Sequence, residues 1–359
     1  GSAASASMLA SGLGAAPKVT RVPSPASATR ASATTTGATG TGNGPAAEGL
    51  VVITVAHHSG GVLPALAADL ACQVEPPALW LLVDNSPRTS PLKPDTLVPG
   101  SRGGRPLPLR RLPGEEGEGV GAGCNRALRW LDSQGWEGWV WLLNPDTALP
   151  RGDELGRLRE ALERLDPRSL VGTAVDDGSG RLEASAGWFT PGLRFRSRRM
   201  DTRGAGPAAP LRLDWLSGCS LALRPSAHRP PARFDPAFPL YYEDMDLCLR
   251  LGRLGAPVLW LPEPRVIHRR GQGSGSASPR RFRLSTVSYL RFLQRHCPAW
   301  VLWLRTLRLL AVTTLRLPLQ PGRGRAVLAG ALEAWGVRGH ASGTRQPRAR
   351  PGPSSTAAT

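Results

Sequence analysis

Short, continuous apolar runs that alternate with helical patterns constrain the fold of this chain most strongly. Each run has the composition of a strand that is buried on both faces of a parallel sheet. The runs are LVVITVA (50–56), ALWLLVD (78–84), WVWLLNPD (139–146) and SLVGTAV (169–175), and helices are predicted at 61–73, 124–135 and 152–165. This alternation predicts an α/β fold with a Rossmann-like, mostly parallel central sheet flanked by helices. Ligands of such sheets bind beyond the carboxyl ends of the strands.

The two ends of the chain have compositions that cannot form a packed core. Residues 1–48 are mainly Ser, Ala, Thr and Gly, and residues 339–359 are rich in Pro, Ser and Arg. We expect both segments to be disordered. The first fits either an organelle transit peptide or a non-native leader before Met8. Between them we predict one domain at 49–295, followed by a helical segment at 296–338.

Arginine supplies almost all of the positive charge. The formal net charge is +18, and only two of the 45 basic residues, Lys18 and Lys93, are lysines. No helix-turn-helix, zinc-finger or aromatic single-strand pattern accompanies this charge, so we expect no nucleic acid partner. Five scattered cysteines without a CxxC pair indicate a reducing compartment. No apolar run is long enough to span a bilayer, so the sequence predicts no membrane-spanning protein. In agreement with a reducing compartment, the predicted location is cytoplasmic.

The segment WVLWLRTLRLLAVTTLRL (300–317) places Arg305, Arg308 and Arg316 among apolar residues. Two structures fit this pattern. A helix could lie flat on an anionic bilayer, which would make the protein peripheral at the inner face of the cell membrane. Alternatively, the segment forms an ordinary surface helix that covers the sheet.

Two of the apolar runs end in polar side chains that suit a ligand site. Asp84 and Asn85 follow the second run, and Asn144 and Asp146 follow the third. Asp84 and Asn85 could hydrogen-bond a nucleobase or ribose. Asp146 could bind a divalent cation together with substrate phosphate oxygens. An Asx-turn would explain either motif singly, but the recurrence of such polar residues at two strand ends favours a ligand site.

A glycine-rich segment, EGVGAGCNRAL (118–128), leads into a helical pattern. Its glycines, including Gly123, would let the backbone approach a ligand closely, and Asn125 and Arg126 would add hydrogen-bond donors. The segment matches neither the dinucleotide GxGxxG spacing nor a P-loop. The alternative is a glycine-rich loop that only enters a helix.

The segment LYYEDMDLCLR (240–250) gathers three carboxylates in a chain that is poor in acids. From Asp244 onward, apolar residues recur at helical spacing, which places Asp244 near a helix N-terminus where free N–H groups keep a carboxylate ionised. Such a carboxylate, partly dehydrated in a cleft, is a suitable general base for a hydroxyl nucleophile. Asp246 is predicted to pair with Arg250 four residues later. The alternative is that all three acids are capping or salt-bridge residues.

His268 ends the run PRVIH (264–268), which is predicted to be another strand. If that strand ends near Asp146, the imidazole is a candidate ligand of the same cation and favours Mn²⁺ over Mg²⁺. A structural or surface histidine is the alternative.

Six motifs in a fixed order resemble those of the family 2 inverting glycosyltransferases with the GT-A fold. They are VDNS (83–86), GVGAGCNRAL (119–128), LLNPDT (142–147), DWLSGCSLALR (214–224), FDPAFPLYYEDMDLCLRLGRLG (234–255) and VIH (266–268). The chain is most similar to bacterial rhamnosyltransferase-like and galactofuranosyltransferase-like enzymes of cell-envelope polysaccharide assembly. The resemblance implies a nucleotide-sugar-binding half at 49–177 and an acceptor half at 178–295, with the C-terminal helices as an extension.

The resemblance also implies a role for each matching position. The donor-binding residues would be Asp84, Asn85, Gly123, Asn125, Arg126, Asn144 and Asp146. The acceptor side would be lined by Trp215, Gly218 and Glu243, Asp244 would be the catalytic base, and Asp146 and His268 would bind Mn²⁺ or Mg²⁺. The implied donor is a dTDP- or UDP-linked sugar, with a rhamnose-like sugar favoured. The implied acceptor is a hydroxyl of a glycan or a lipid-linked saccharide.

The implied reaction is a direct displacement that inverts the anomeric carbon. Asp244 would take the proton of the acceptor hydroxyl, and the cation would offset charge on the leaving diphosphate. The chain departs from the family pattern at the DxD motif, where Asn144-Pro145-Asp146 keeps only the last acid, and at His57 and His58, which have no assigned role. Two alternatives share the fold: a sugar-nucleotide nucleotidyltransferase and a catalytically degenerate glycan-binding protein.

Overall fold

A computed structural model describes residues 49–89, 92, 107–183, 185–190, 196–200, 208–269 and 278–336. Both segments for which disorder was predicted, 1–48 and 339–359, lie outside the described residues.

The described residues form a large sheet, a small sheet and helices on both faces of the large one. The strands are β1 (Val51–Ala56), β2 (Leu79–Asp84), β3 (Leu109–Pro113), β4 (Val140–Leu143), β5 (Thr147–Ala148), β6 (Leu170–Asp176), β7 (Ala186–Thr190), β8 (Arg196–Arg199), β9 (Leu211–Arg212), β10 (Trp215–Leu216), β11 (Ser220–Leu223) and β12 (Val258–His268). The helices are α1 (Leu63–Ala71), α2 (Val120–Ser133), α3 (Glu154–Glu163), α4 (Glu243–Arg253), α5 (Pro279–His296), α6 (Ala299–Arg316) and α7 (Pro321–Ala334).

The large sheet has the strand order β3-β2-β1-β4-β11-β6-β12-β5, with β9 paired to β12. Strands β3, β2, β1 and β4 are parallel, and so are β6 and β12, whereas β11 runs antiparallel between these two groups. The carboxyl ends of β1, β2, β4, β6 and β12 therefore meet at one edge of the sheet. The predicted α/β fold with a central, largely parallel sheet and C-terminal helices is confirmed.

Large apolar side chains of the central strands form the core. Trp80, Trp141 and Trp260 are fully buried, and two of these indoles donate to polar partners inside the sheet. The Nε1 of Trp80 donates to Thr54 at 3.0 Å, and the Nε1 of Trp141 donates to Ser220 at 2.9 Å. Helices α1 and α3 pack on one face of the sheet, and α2 and α4 pack on the other. This two-sided burial explains why the strands are continuously apolar.

Helix α2 begins four residues earlier than the sequence pattern predicts, at Val120 rather than Cys124. Glycine disfavours a helix by about 1 kcal/mol relative to alanine, but tertiary packing requires it here. A β-carbon at Gly121 would lie 3.0 Å from Phe234, and one at Gly123 would lie 2.7 Å from Val55. These glycines therefore bring the helix close to the sheet, and their role in approaching a ligand stays a prediction.

Helix α5 joins the C-terminal helices to the rest of the fold. A β-carbon at Gly330 in α7 would lie 2.4 Å from the carbonyl oxygen of Arg283, so α5 and α7 touch closely. On its other side, α5 accepts the N–H of Leu240 through Ser288 at 3.2 Å. The proposed boundary at residue 295 stays a prediction. No helix among the described residues has the length and hydropathy to cross a bilayer.

Candidate active site

Asp244 lies in the first turn of α4, next to the turn that precedes β11. Its Oδ2 accepts the N–H of Gly218 at 2.9 Å, and its Oδ1 accepts the N–H of Met245 at 2.7 Å. The two residues before the helix, Tyr241 and Tyr242, have φ angles of 65° and 68°. Such angles are costly for tyrosine and occur preferentially at functional sites. The chain thus accepts backbone strain to place a carboxylate at this helix start.

Glu243 and Asp244 form a pair of neighbouring carboxyl groups that burial keeps from ionising easily. Burial raises the pKa of Glu243 to about 8, and the adjacent Asp244 adds to the shift. Burial also raises the pKa of Asp244, against the opposing effect of the N–H groups of Gly218 and Met245. Since Oε2 of Glu243 is buried and has no hydrogen-bond partner among the described residues, Asp244 is the member of the pair that ionises more readily.

Glu243 faces the first turn of α2. Its β-carbon lies 3.4 Å from the position of a β-carbon placed on Gly121. The carbonyl oxygens just before that turn, on Glu118 and Gly119, accept the amide of Asn85 at 3.2 and 3.5 Å. The acceptor contact of Glu243 stays a prediction.

Asp246 is a structural residue, and its predicted pairing with Arg250 is confirmed. The carboxylate is fully buried, and its Oδ2 accepts from Nε of Arg250 at 2.6 Å. Its Oδ1 lies 2.8 Å from Nε2 of His296, which is also buried. This network ties α4, which carries Asp244, to α5.

Asp146 and His268 lie together at the carboxyl edge of the sheet, as their strand-end positions predict. Nε2 of His268 is 3.3 Å from Oδ1 of Asp146, and Nδ1 of the same ring is 3.2 Å from Oε2 of Glu183. Burial alone would lower the pKa of His268. The hydrogen bonds with Asp146, Cys219 and Glu183 outweigh burial and raise it to about 12.

This arrangement fits a divalent cation that has two protein ligands. A metal-binding histidine commonly pairs its second ring nitrogen with a carboxylate, which fixes the ring orientation, and Glu183 occupies that position here. A cation would replace the proton between Nε2 of His268 and Oδ1 of Asp146. Among the described residues, no group of three or more His, Cys, Asp or Glu side chains forms a complete metal cage. Substrate oxygens or water would have to supply the remaining ligands.

A short backbone segment connects this pair to Asp244. The carbonyl oxygen of Cys219 accepts the N–H of Asn144 at 3.1 Å, and the N–H of the preceding Gly218 binds Asp244. Cys219 also hydrogen-bonds His268 through its thiol. The candidate base and the candidate cation site are therefore held at a fixed spacing across residues 218–219.

Asp84 and Asn85 lie at the end of β2, where the sequence predicts a nucleotide contact. Asp84 accepts the N–H groups of Ser86 at 3.0 Å and of Leu92 at 3.1 Å, and it lies 3.9 Å from Arg111. The Oδ1 of Asn85 is buried and has no partner among the described residues. Leaving such an acceptor unpaired costs about 1–3 kcal/mol, so this oxygen would gain from a ligand donor.

Two residues that were predicted to contact the sugar donor make other contacts in the structure. Asn125 is buried, and its amide exchanges two hydrogen bonds with the backbone of Phe234 at 2.8 and 2.9 Å. Arg126 pairs with Glu115 and Glu118, both at 3.1 Å. Asn125 therefore ties α2 to the segment before α4, and its contact with the sugar donor stays a prediction. Arg126 lies at the surface of the glycine-rich turn.

Trp215 lies in β10 and is buried. Its Nε1 is buried without a hydrogen-bond partner in the described part of the chain. A substrate oxygen could accept this N–H, and the position of Trp215 on the acceptor side stays a prediction.

His57 and His58 follow β1 at the same edge of the sheet. Both are exposed, with ring centroids 4.5 Å apart, and His58 has a φ of 54°. Burial lowers the pKa of His57, and His58 and Arg280 lower it further.

Sequence analysis did not identify Glu183 and Cys219 as site residues. Neither has a local motif, because their partner His268 is distant in the chain.

Comparisons with known proteins give distant but consistent relatives. No family model matches the chain. Over 248 residues, the chain is 27% identical to the N-acetylglucosaminyl-diphospho-decaprenol L-rhamnosyltransferase of Mycobacterium tuberculosis, a match that covers 63% of this chain and 78% of that protein. Over 83 residues, it is 32% identical to the rhamnosyltransferase WbbL of Escherichia coli, covering 23% of this chain and 31% of WbbL.

Solved structures with a similar backbone are also glycosyltransferases. GalNAc-T7 with UDP, GalNAc and Mn²⁺ has a TM-score of 0.49 at 15% identity, and the match covers 68% of this chain and 47% of that one. The mannosyltransferase PcManGT from Pyrobaculum calidifontis, with GDP-Man and Mn²⁺, has a TM-score of 0.48 at 14% identity and covers 80% and 86%. Because both scores are below 0.5, the fold assignment rests on the strand order of this chain.

Proposed function

We propose that this chain, a family 2 glycosyltransferase of the GT-A type, transfers a rhamnose-like sugar with inversion from a nucleoside diphosphate to a saccharide hydroxyl. The donor is dTDP- or UDP-linked, and the acceptor is a glycan or a lipid-linked saccharide. The relatives named as rhamnosyltransferases support the sugar, and one of them is named for a diphospho-decaprenol acceptor. A lipid-linked acceptor would bring the enzyme to the inner face of the cell membrane as a peripheral protein.

The observation that carries this proposal is the fixed spacing between Asp244 and the Asp146–His268 pair across residues 218–219. Direct displacement needs a base on one side of the anomeric carbon and stabilisation of the leaving group on the other. Asp244 is the base. Asp146 and His268 would bind the cation that stabilises the leaving diphosphate.

Each residue of the candidate site has a separate role in the proposed reaction. Asp244 takes the proton of the acceptor hydroxyl while the oxygen attacks the anomeric carbon, and the bond to the diphosphate breaks on the opposite side. Gly218 and Met245 hold the carboxylate in place through their N–H groups. A divalent cation bound by Asp146 and His268 would offset the charge on the leaving diphosphate. Asn85 and Asp84 would contact the nucleoside, and Trp215 would contact the acceptor.

Two measurements test this function in sequence. First, thermal unfolding is followed with dTDP-rhamnose and UDP-sugars, with and without Mn²⁺, because a bound ligand raises the apparent stability. Second, the nucleotide sugar that raises the unfolding temperature is incubated with the protein and a polyprenyl-diphosphate-linked N-acetylglucosamine. The anomeric configuration of the product is determined by NMR. We expect an inverted product. A product with retained anomeric configuration would contradict the proposal. Exchange of pyrophosphate into the nucleotide sugar would also contradict it, because that is the reaction of a nucleotidyltransferase.

A further inference from the structure

Helix α6 exposes a continuous apolar stripe to solvent. Leu304, Leu307 and Leu315 are 59%, 62% and 80% exposed, and Trp300 and Trp303 are exposed beside them. These positions recur at intervals of three and four residues or their multiples, so they share one side of the helix.

The other side of α6 packs through both apolar and polar residues. Val301, Thr306 and Thr313 are buried, and Leu302, Leu309 and Leu310 are partly buried against α5 and α7. A surface helix of an ordinary domain has one apolar stripe, which lies on the core, whereas α6 is apolar on its exposed side as well. It packs on α5 and α7 rather than on the sheet, which was one of the two structures that its sequence allowed.

The apolar surface extends beyond α6. Trp335, which follows α7, stacks on Trp303 with ring centroids 4.9 Å apart, and Leu319 after α6 is also exposed. We call the exposed side chains of Trp300, Trp303, Leu304, Leu307, Leu315, Leu319 and Trp335 the α6 face. Exposed patches of this kind in water-soluble proteins mark interaction surfaces.

The C-terminal helices carry a positive net charge, and Arg305, Arg308 and Arg316 lie on α6 itself. Residues 278–336 contain ten arginines and no lysine, and Glu333 is their only acidic residue. Arg308 is exposed on α6, one residue after Leu307. Two copies of the chain that met through this face would bring like charges together, whereas an anionic surface would complement them.

We propose that the α6 face binds the surface of a bilayer that contains anionic phospholipid, with α6 lying in the plane of the membrane. Leucines on such a helix enter the acyl boundary, tryptophans favour the interface, and arginines reach the headgroups. Each basic residue near an anionic leaflet adds to the electrostatic attraction. Helix α5, on which α6 packs, also reaches the candidate site, because the ring of Tyr289 lies 5.9 Å from that of Tyr242, two residues before Asp244.

A vesicle flotation assay tests this inference with the full chain and no sugar nucleotide, so its failure would leave the proposed transfer untouched. Vesicles of phosphatidylcholine alone are compared with vesicles that contain phosphatidylglycerol. We expect binding to the anionic vesicles, and a loss of about tenfold or more in the triple variant L304Q/L307Q/L315Q. The matched control is V74Q/L254Q, because Val74 and Leu254 are 78% and 72% exposed but lie outside the α6 face.

Two further measurements separate the possible occupants of the face. Circular dichroism and thermal unfolding must be unchanged in the triple variant, as expected for side chains that are already in water. Arg308→Gln should weaken binding to anionic vesicles only. Equal flotation of the parent and the triple variant would overturn the inference. A concentration-dependent dimer that the triple variant abolishes, without vesicle binding by the parent, would also overturn it and assign the face to a second copy.

Discussion

The backbone nitrogen of Gly218 lies 2.9 Å from Oδ2 of Asp244, so the candidate base is fixed by a main-chain donor that every substitution at 218 except proline retains. Asp244→Asn keeps the size of the side chain but cannot accept a proton. We expect kcat to fall about 10²–10⁴-fold while donor binding, followed by thermal shift, stays within a factor of a few. Asp166→Asn, at a partly exposed acid outside the site, serves as the control. Near-normal turnover of the Asp244 variant would refute its role as the base.

Asp246 and Asp153 offer a matched test of burial. Each accepts from an arginine four residues later at 2.6 Å, but the Asp246 side chain is 0% exposed and that of Asp153 is 38% exposed. Asp246→Asn leaves His296 and Arg250 without their anion, and we expect the free energy of unfolding to fall by about 3 kcal/mol or more. Asp153→Asn should have a much smaller effect, because exposed pairs contribute little. Denaturant unfolding measures both, and equal losses would contradict this reasoning.

Glu243 should make the stability of the protein depend on pH. Its pKa is raised to about 8 in the folded chain, compared with about 4.3 when unfolded. The folded state therefore holds this proton more tightly, and the stability that it contributes is present at low pH and lost as the pH rises towards 8. Glu243→Gln cannot ionise, so the variant should gain stability relative to the parent between pH 5 and pH 8.5. Glu160→Gln, at an exposed site, should show no such trend in the same denaturation series.

The Asp146–His268 pair predicts a graded loss of cation binding. With dTDP present, titration of Mn²⁺ followed by electron paramagnetic resonance should show the largest loss for Asp146→Asn. Glu183→Gln should cost about 10–100-fold, since this carboxylate orients the imidazole without touching the cation. His268→Asn should weaken Mn²⁺ more than Mg²⁺, because it replaces a nitrogen ligand by oxygen. An unchanged Mn²⁺ affinity in all three variants would exclude this site.

Substitution of Trp215 should change the KM for the acceptor and not the KM for the sugar donor. Trp215→Phe keeps most of the apolar volume but removes the buried N–H that has no partner among the described residues. We expect a higher KM for the acceptor at an unchanged donor KM, measured in the transfer assay. An increase in the donor KM alone would place Trp215 on the other side of the cleft.

Local patterns were sufficient for the strands β1, β2, β4 and β6 and for the helix that starts at Glu243. Continuous apolar runs and helical spacing depend only on near neighbours in the chain, so the sequence carries them directly. The glycosyltransferase assignment, made from six ordered motifs, was confirmed by the rhamnosyltransferase relatives.

The remaining features depend on contacts between distant parts of the chain. Asn125 meets Phe234 across 109 positions, and Glu183 meets His268 across 85. Neither pair leaves a local signal, so the sequence suggested a donor contact for Asn125 and no role for Glu183. The packing of Gly123 is equally non-local, because its closest neighbour, Val55, belongs to strand β1.

The turn at Gly218 offers a position at which acceptor choice could be engineered. A β-carbon there would lie 3.7 Å from Cβ of Asp244, an ordinary van der Waals contact, and the residue does not adopt a positive φ. Since the contact to the base is made by the backbone, a small side chain at 218 would narrow the space beside Asp244 and leave the carboxylate anchored. A small set of substitutions at this one position could therefore produce enzymes that reject bulkier acceptors while the chemical step continues.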